Sequence, residues 1–83
     1  MRIELFHIIG EGGSDSAEVR RFVLEQAIKD KIEFRNLAYE EARQALREAG
    51  GIAERAPWLL TSEGLLDGKR QVLDWLIKNK DQL

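Results

Sequence analysis

The chain contains no cysteine, one proline (Pro57) and one histidine (His7). Without cysteine it forms neither a disulfide nor a thiolate, so thiol–disulfide exchange is chemically excluded. One histidine without thiols argues against a zinc site, and spacing identifies no serine–histidine–acid triad. His7 is expected to be partly buried with one satisfied ring nitrogen. Long apolar runs are missing too: nothing approaches the roughly 20 residues of a membrane span, and no signal peptide is visible. A cytoplasmic protein without a membrane partner is the expectation. A basic excess is also absent, because 13 basic and 15 acidic residues leave a net charge of −2. The signs intermix, as in Glu18-Val19-Arg20-Arg21, which solvated helix faces explain. Nucleic acid is therefore not an expected partner. No cofactor is indicated.

What is present reads as one small domain over residues 1–83, near the size where a single core is just sufficient. Apolar packing alone must hold it. Ile3 to Ile9 is almost wholly apolar and predicts a central strand covered on both faces. Gly10 to Asp15 is a turn by composition. Ser14 or Asp15 is placed to cap the helix that follows, and Asp15 with Glu18 has capping-box spacing. Val19, Phe22, Val23, Ala27 and Ile28 carry that helix to about Lys29.

Ile32 to Leu37 alternates as a strand covered mainly on one face. Tyr39 to Glu48 is rich in helix formers, with Ala42, Ala45, Leu46 and Ala49 as its small-residue stripe and Gly50 as its stop. Pro57 to Thr61 and Leu65-Leu66 are short strands joined through Ser62-Glu63-Gly64, a hairpin signal. From Lys69 onward, Val72, Leu73, Leu76 and Ile77 form the stripe of a last helix. Trp58 and Trp75 read as core residues, or as a contact patch if both are exposed near Pro57. The order is β-α-β-α-β-β-α.

That order, together with Ala56-Pro57 opening the run Trp58-Leu59-Leu60, resembles the thioredoxin-like and glutaredoxin-like domains. The resemblance covers nearly the whole chain. It implies a minimal glutaredoxin-like α/β fold: a four-stranded mixed sheet of order 2-1-3-4 flanked by three helices. It also implies a cis bond before Pro57, beside the start of the first helix. Ser14-Asp15-Ser16-Ala17 aligns with the family's two-cysteine motif, whose thiols are missing here. Leu66-Asp67-Gly68-Lys69-Arg70 aligns with the segment that holds the γ-glutamyl end of glutathione in glutaredoxins. Lys69 and Arg70 replace the acidic groups expected there, and cations repel an ammonium.

The expected role is a non-catalytic thioredoxin-like module that binds a protein or peptide. Its expected surface comprises Ser14, Asp15, Arg55, Ala56, Pro57, Gly68 and Lys69, with Ala56 offering free backbone groups. Glu11 and Asp15 are expected to face Arg55, Lys69 and Arg70, giving a patch of mixed sign. The alternative is a glutathione-transferase-like or other glutathione-dependent activity in which Ser14 replaces a cysteine. A third reading makes the chain half of a homodimer, so a monomer or a weak homodimer is expected. Leu5-Phe6, Gly10, Ser14 and Val19-Arg20 also distantly resemble the opening of KaiB-like clock proteins, which diverge in their second half.

Overall fold

The computed structural model describes residues 2–83. Strand β1 (Ile3–His7) is followed by helix α1 (Ser14–Glu25), β2 (Ile32–Asn36) and α2 (Glu40–Ala49). The hairpin β3 (Trp58–Thr61) and β4 (Gly64–Asp67) then leads into α3 (Gly68–Asn79). The sheet is mixed, in the order β2-β1-β3-β4. Strand β1 runs parallel to β2, with Leu5 beside Phe34, and antiparallel to β3, with Leu5 beside Leu59.

Because successive strand residues face opposite sides, β1 serves two cores. Ile3 and Leu5 join Val19, Val23, Val72 and Leu76 on the α1/α3 side. Phe6 joins Leu37, Ala42, Leu46 and Trp58 on the α2 side. Phe6, Leu5, Leu46 and Leu59 are fully enclosed. Burying one such side chain is worth roughly 1.5–3 kcal/mol, which is how a chain without covalent bridges holds together. Trp58 is buried and donates its indole N–H to Ile52 O at 2.7 Å, while the half-buried Trp75 has an enclosed indole nitrogen with no partner. The two tryptophans therefore form no exposed patch beside Pro57.

Several boundaries differ from the sequence expectation. Strand β1 ends at His7, and Ile9 is 61% exposed. Helix α1 stops at Glu25 instead of near Lys29, because Ala27 turns into the left-handed region at φ 57°. Ile28 still reaches the core, from a loop. Gly13, not Ser14 or Asp15, caps α1, and no side chain bonds to the helix start. The capping box is thus not formed. The reason is local: Ser14 already lies inside the helix, so its side chain is one position too late to act as the cap. Ile77, expected in the α3 stripe, is 56% exposed. At the end of α2 the expectation holds, since Gly50 takes φ 102° and accepts the left-handed turn that other residues resist.

Candidate functional site

Strands β1 and β2 end, and β3 begins, at the same end of the sheet. Helices α1 and α3 both start there. Ser14 and Asp15 lie on α1, Gly68 and Lys69 on α3, and Arg55, Ala56 and Pro57 on the stretch leading into β3; the contacts at this end fall into two groups.

The first group ties α1 to the end of β1. Gly13 is buried, and a Cβ there would lie 2.5 Å from Ile8 O, so only glycine lets the loop pass this close to β1. Ser16, one turn into α1 and only 1% exposed, accepts a hydrogen bond from Ile8 N–H at 3.0 Å. Arg20, one turn further, donates through Nη1 to Ile8 O at 2.8 Å and meets His7 Nδ1 at 2.9 Å. A guanidinium can only donate, so Nδ1 must accept and the ring proton sits on Nε2. The His7 ring packs edge-on against Phe34, with centroids 5.3 Å apart. Burial, followed by the Arg20 charge, lowers the His7 pKa from 6.5 to about 4. His7 is 3% exposed, more enclosed than the sequence implied.

The second group ties β3 and α3 to the start of α1. The Ala56–Pro57 bond is cis, Pro57 is fully buried, and Pro57 O accepts Gly68 N–H at 2.9 Å. Lys69 Nζ lies 3.3 Å from Glu18 and 3.6 Å from Asp15, bridging the first turns of the two helices. These carboxylates, Glu18 foremost, raise the Lys69 pKa. Arg55 pairs with Asp67 at 2.6 Å, so it does not face Glu11 or Asp15 as expected. The patch is mixed in sign and Asp15 faces Lys69 as expected, but Arg55 turns to Asp67. Among the described residues neither Glu11 nor Arg70 has an ion-pair partner, and both are exposed.

Ala56 departs most from the expectation of free backbone groups. Its N–H donates to Ala53 O at 3.1 Å, closing the short 3-10 turn Ala53–Arg55. An extended partner therefore meets at most the Ala56 carbonyl. Ser14 and Asp15 are exposed on α1, and Gly68 opens α3 half-buried. The site holds Ser14, Asp15, Lys69, Gly68, Pro57, Ala56 and Arg55 around one end of the sheet, although no hydrogen bond joins Ser14 directly to Pro57. A depression of about 560 Å³ beside Arg2, Lys31 and Glu33 lies at the opposite end and contains none of these residues.

In chemical terms the site offers paired surface charges, one serine hydroxyl and the open ends of two helices. Ser14 has no base beside it: His7 engages Arg20, and no described serine is hydrogen-bonded to the imidazole. The anchoring roles of Ser16 and Arg20 were not foreseen from the sequence. Their signal was the placement of two polar residues, four apart, beside Val19 and Val23 on the face of α1 that packs against β1. Among the described residues no three His, Asp or Glu side chains converge to hold a metal ion, and no helix is long and apolar enough to cross a membrane.

Comparison with protein-family models, curated proteins and solved structures found no match.

Proposed function

We propose that this chain is a cysteine-free thioredoxin-like domain, of the minimal glutaredoxin-like form, whose role is to bind a protein or peptide. The observation that carries the reading is the strand order β2-β1-β3-β4, with the proline-led strand entering at the end of the sheet where α1 begins. In α/β folds that end is where ligands bind. The thiols that give related folds their redox chemistry are gone, while the surface around their position retains paired charges. Ser14, Asp15, Lys69 and Arg55 form the contact surface, with the Ala56 carbonyl as a backbone acceptor. A partner with both charges suits this surface, since Asp15 and Glu18 flank Lys69 while Asp67 faces Arg55.

The test begins with affinity capture and titration of the captured partner into labelled protein. Amide shifts should centre on Gly10–Asp15, Arg55 and Gly68. Reversing Arg55 and Lys69 together to Glu should abolish binding, with the circular dichroism spectrum unchanged. Shifts confined to Glu41, Gln44 and Glu48 on α2 would move the working surface elsewhere and defeat the proposal. Millimolar glutathione should leave the Ser14, Ala56 and Gly68 amides unmoved. Saturable shifts there would favour the glutathione-dependent alternative.

A further inference from the structure

The two outer edges of the sheet differ in what they leave open. Along β4, alternation turns the backbone groups of Leu66 toward β3 and those of Leu65 and Asp67 outward. The Gln71 side chain accepts the Asp67 N–H at 3.1 Å, so Leu65 is the one β4 residue with both backbone groups uncovered. Strand β2 is different. Leu37 N–H bonds to His7 O at 2.9 Å, which fixes the phase of the parallel ladder. Glu33 and Arg35 therefore direct their backbone groups to β1, while Ile32, Phe34 and Asn36 direct theirs outward.

Two of those outward groups are already used. Ile32 N–H bonds to Lys29 O, and Asn36 O accepts Tyr39 N–H at 3.2 Å. What remains is Ile32 C=O, both groups of Phe34, and Asn36 N–H. Setting a second copy antiparallel to β2, with the two-fold axis at Phe34, matches this remainder. Phe34 exchanges both bonds with the partner's Phe34. Each Asn36 N–H meets the Ile32 carbonyl of the other chain. The groups left without an intermolecular bond, Ile32 N–H and Asn36 O, are the two already satisfied within the chain.

The side chains fit the same register. Glu33 comes opposite the partner's Arg35, and Arg35 opposite the partner's Glu33, in the non-hydrogen-bonded position where side chains lie closest. Edge strands are usually protected by charge, and a single sign would repel its own copy. Here the signs are opposite and symmetric about Phe34, so the edge attracts a second copy. Arg35 already meets Glu4 at 2.7 Å and Glu33 at 3.8 Å, and Arg2 pairs with Glu33. These contacts hold both side chains on the α2 side of the strand. Beside them runs a groove of about 450 Å³ reaching the exposed Tyr39 and Glu41.

We propose that β2 is a self-recognition edge: two copies of this chain pair antiparallel through Ile32–Asn36, centred on Phe34, to form one continuous eight-stranded sheet.

The test is sedimentation equilibrium from micromolar to millimolar concentration on the wild type, E33R, R35E and an equimolar mixture of the two variants. The wild type should rise to twice the chain mass. E33R and R35E should each remain monomeric, because like charges then oppose each other at both positions. Their mixture should form a heterodimer, since the two cations on the edge of one variant then meet the two carboxylates on the edge of the other. A wild type that stays monomeric at millimolar concentration overturns the proposal, as does a single variant that dimerises like the wild type or a mixture of folded variants that does not associate. Should either variant fail to fold, amide exchange in the wild type decides. Phe34 and Asn36 N–H should be protected only when concentrated, and Glu33 and Arg35 N–H at every concentration. Protection independent of concentration at Phe34, or none at all, rejects the pairing.

Discussion

Helices α1 and α3 begin side by side, yet they are attached to the sheet by different means. The start of α1 is pinned from inside: Ser16 and Arg20 satisfy both backbone groups of Ile8, and Arg20 also holds His7. The start of α3 is held by one backbone bond, from Gly68 to Pro57, and by ion pairs at the surface. The strength of a polar contact depends on what its loss leaves behind. Removing a buried donor strands its partners away from water, whereas a surface partner is simply hydrated. The α1 side is therefore expected to carry stability, and the α3 side to be free to change partners.

The largest test of this contrast is Arg20→Met. It leaves His7 Nδ1 and Ile8 O without their donor and should cost about 2–4 kcal/mol in urea unfolding. The second test is pH. The native His7 pKa of about 4 lies below the unfolded value near 6.5, so between these limits the unfolded chain binds a proton that the native chain refuses. His7 thus contributes full stability above about pH 6.5, loses it as pH falls, and contributes nothing further below about pH 4. The whole step amounts to about 3 kcal/mol. Unfolding curves of the wild type and His7→Gln across that window should diverge, with the variant showing the shallower dependence. Equal slopes would mean that His7 is not held neutral.

Ser16→Ala comes next, at about 1–2 kcal/mol, because the half-buried Ile8 N–H loses the acceptor that the enclosed Ser16 provides. The smallest effects belong to the α3 side. Lys69→Gln should leave the melting temperature unresolved from the wild type, with or without added salt. Arg55→Gln should cost below about 1 kcal/mol, given that the Arg55 side chain is 64% exposed. A large loss from either variant would erase the contrast.

The elements legible in the sequence were those whose apolar period and punctuation agree. The apolar run of β1, the alternation of β2 and the Ser62-Glu63 turn led to the observed α/β sheet. Gly50 marked the end of α2 because a left-handed residue there has a clear chemical signature. The end of α1 carried no such mark. Its apolar spacing continues through Ala27 and Ile28 while the backbone has already turned, so packing and helix part company after Glu25. The candidate site divides in the same way. Gly68 and Pro57 declare themselves by residue type, and they are joined by a bond. The partners of Arg55 and the engagement of Ala56 N–H depend on the course of the loop 50–57, which side-chain pattern does not encode.

Strand β1 is the shared wall of both cores, and this has a consequence in time. During synthesis Ile3, Leu5 and Phe6 emerge well ahead of their partners, and β1 meets β3 only after Trp58–Thr61 has been made. At 5–20 residues per second, the 55 residues from His7 to Thr61 take roughly 3–11 s. Through that interval β1 has at most its β2 edge covered. Neither core can close before β3 arrives, and the α1/α3-side core waits longer still, for Val72 and Leu76. The vulnerable moment of this protein lies before the fold exists, and its length is set by the ribosome.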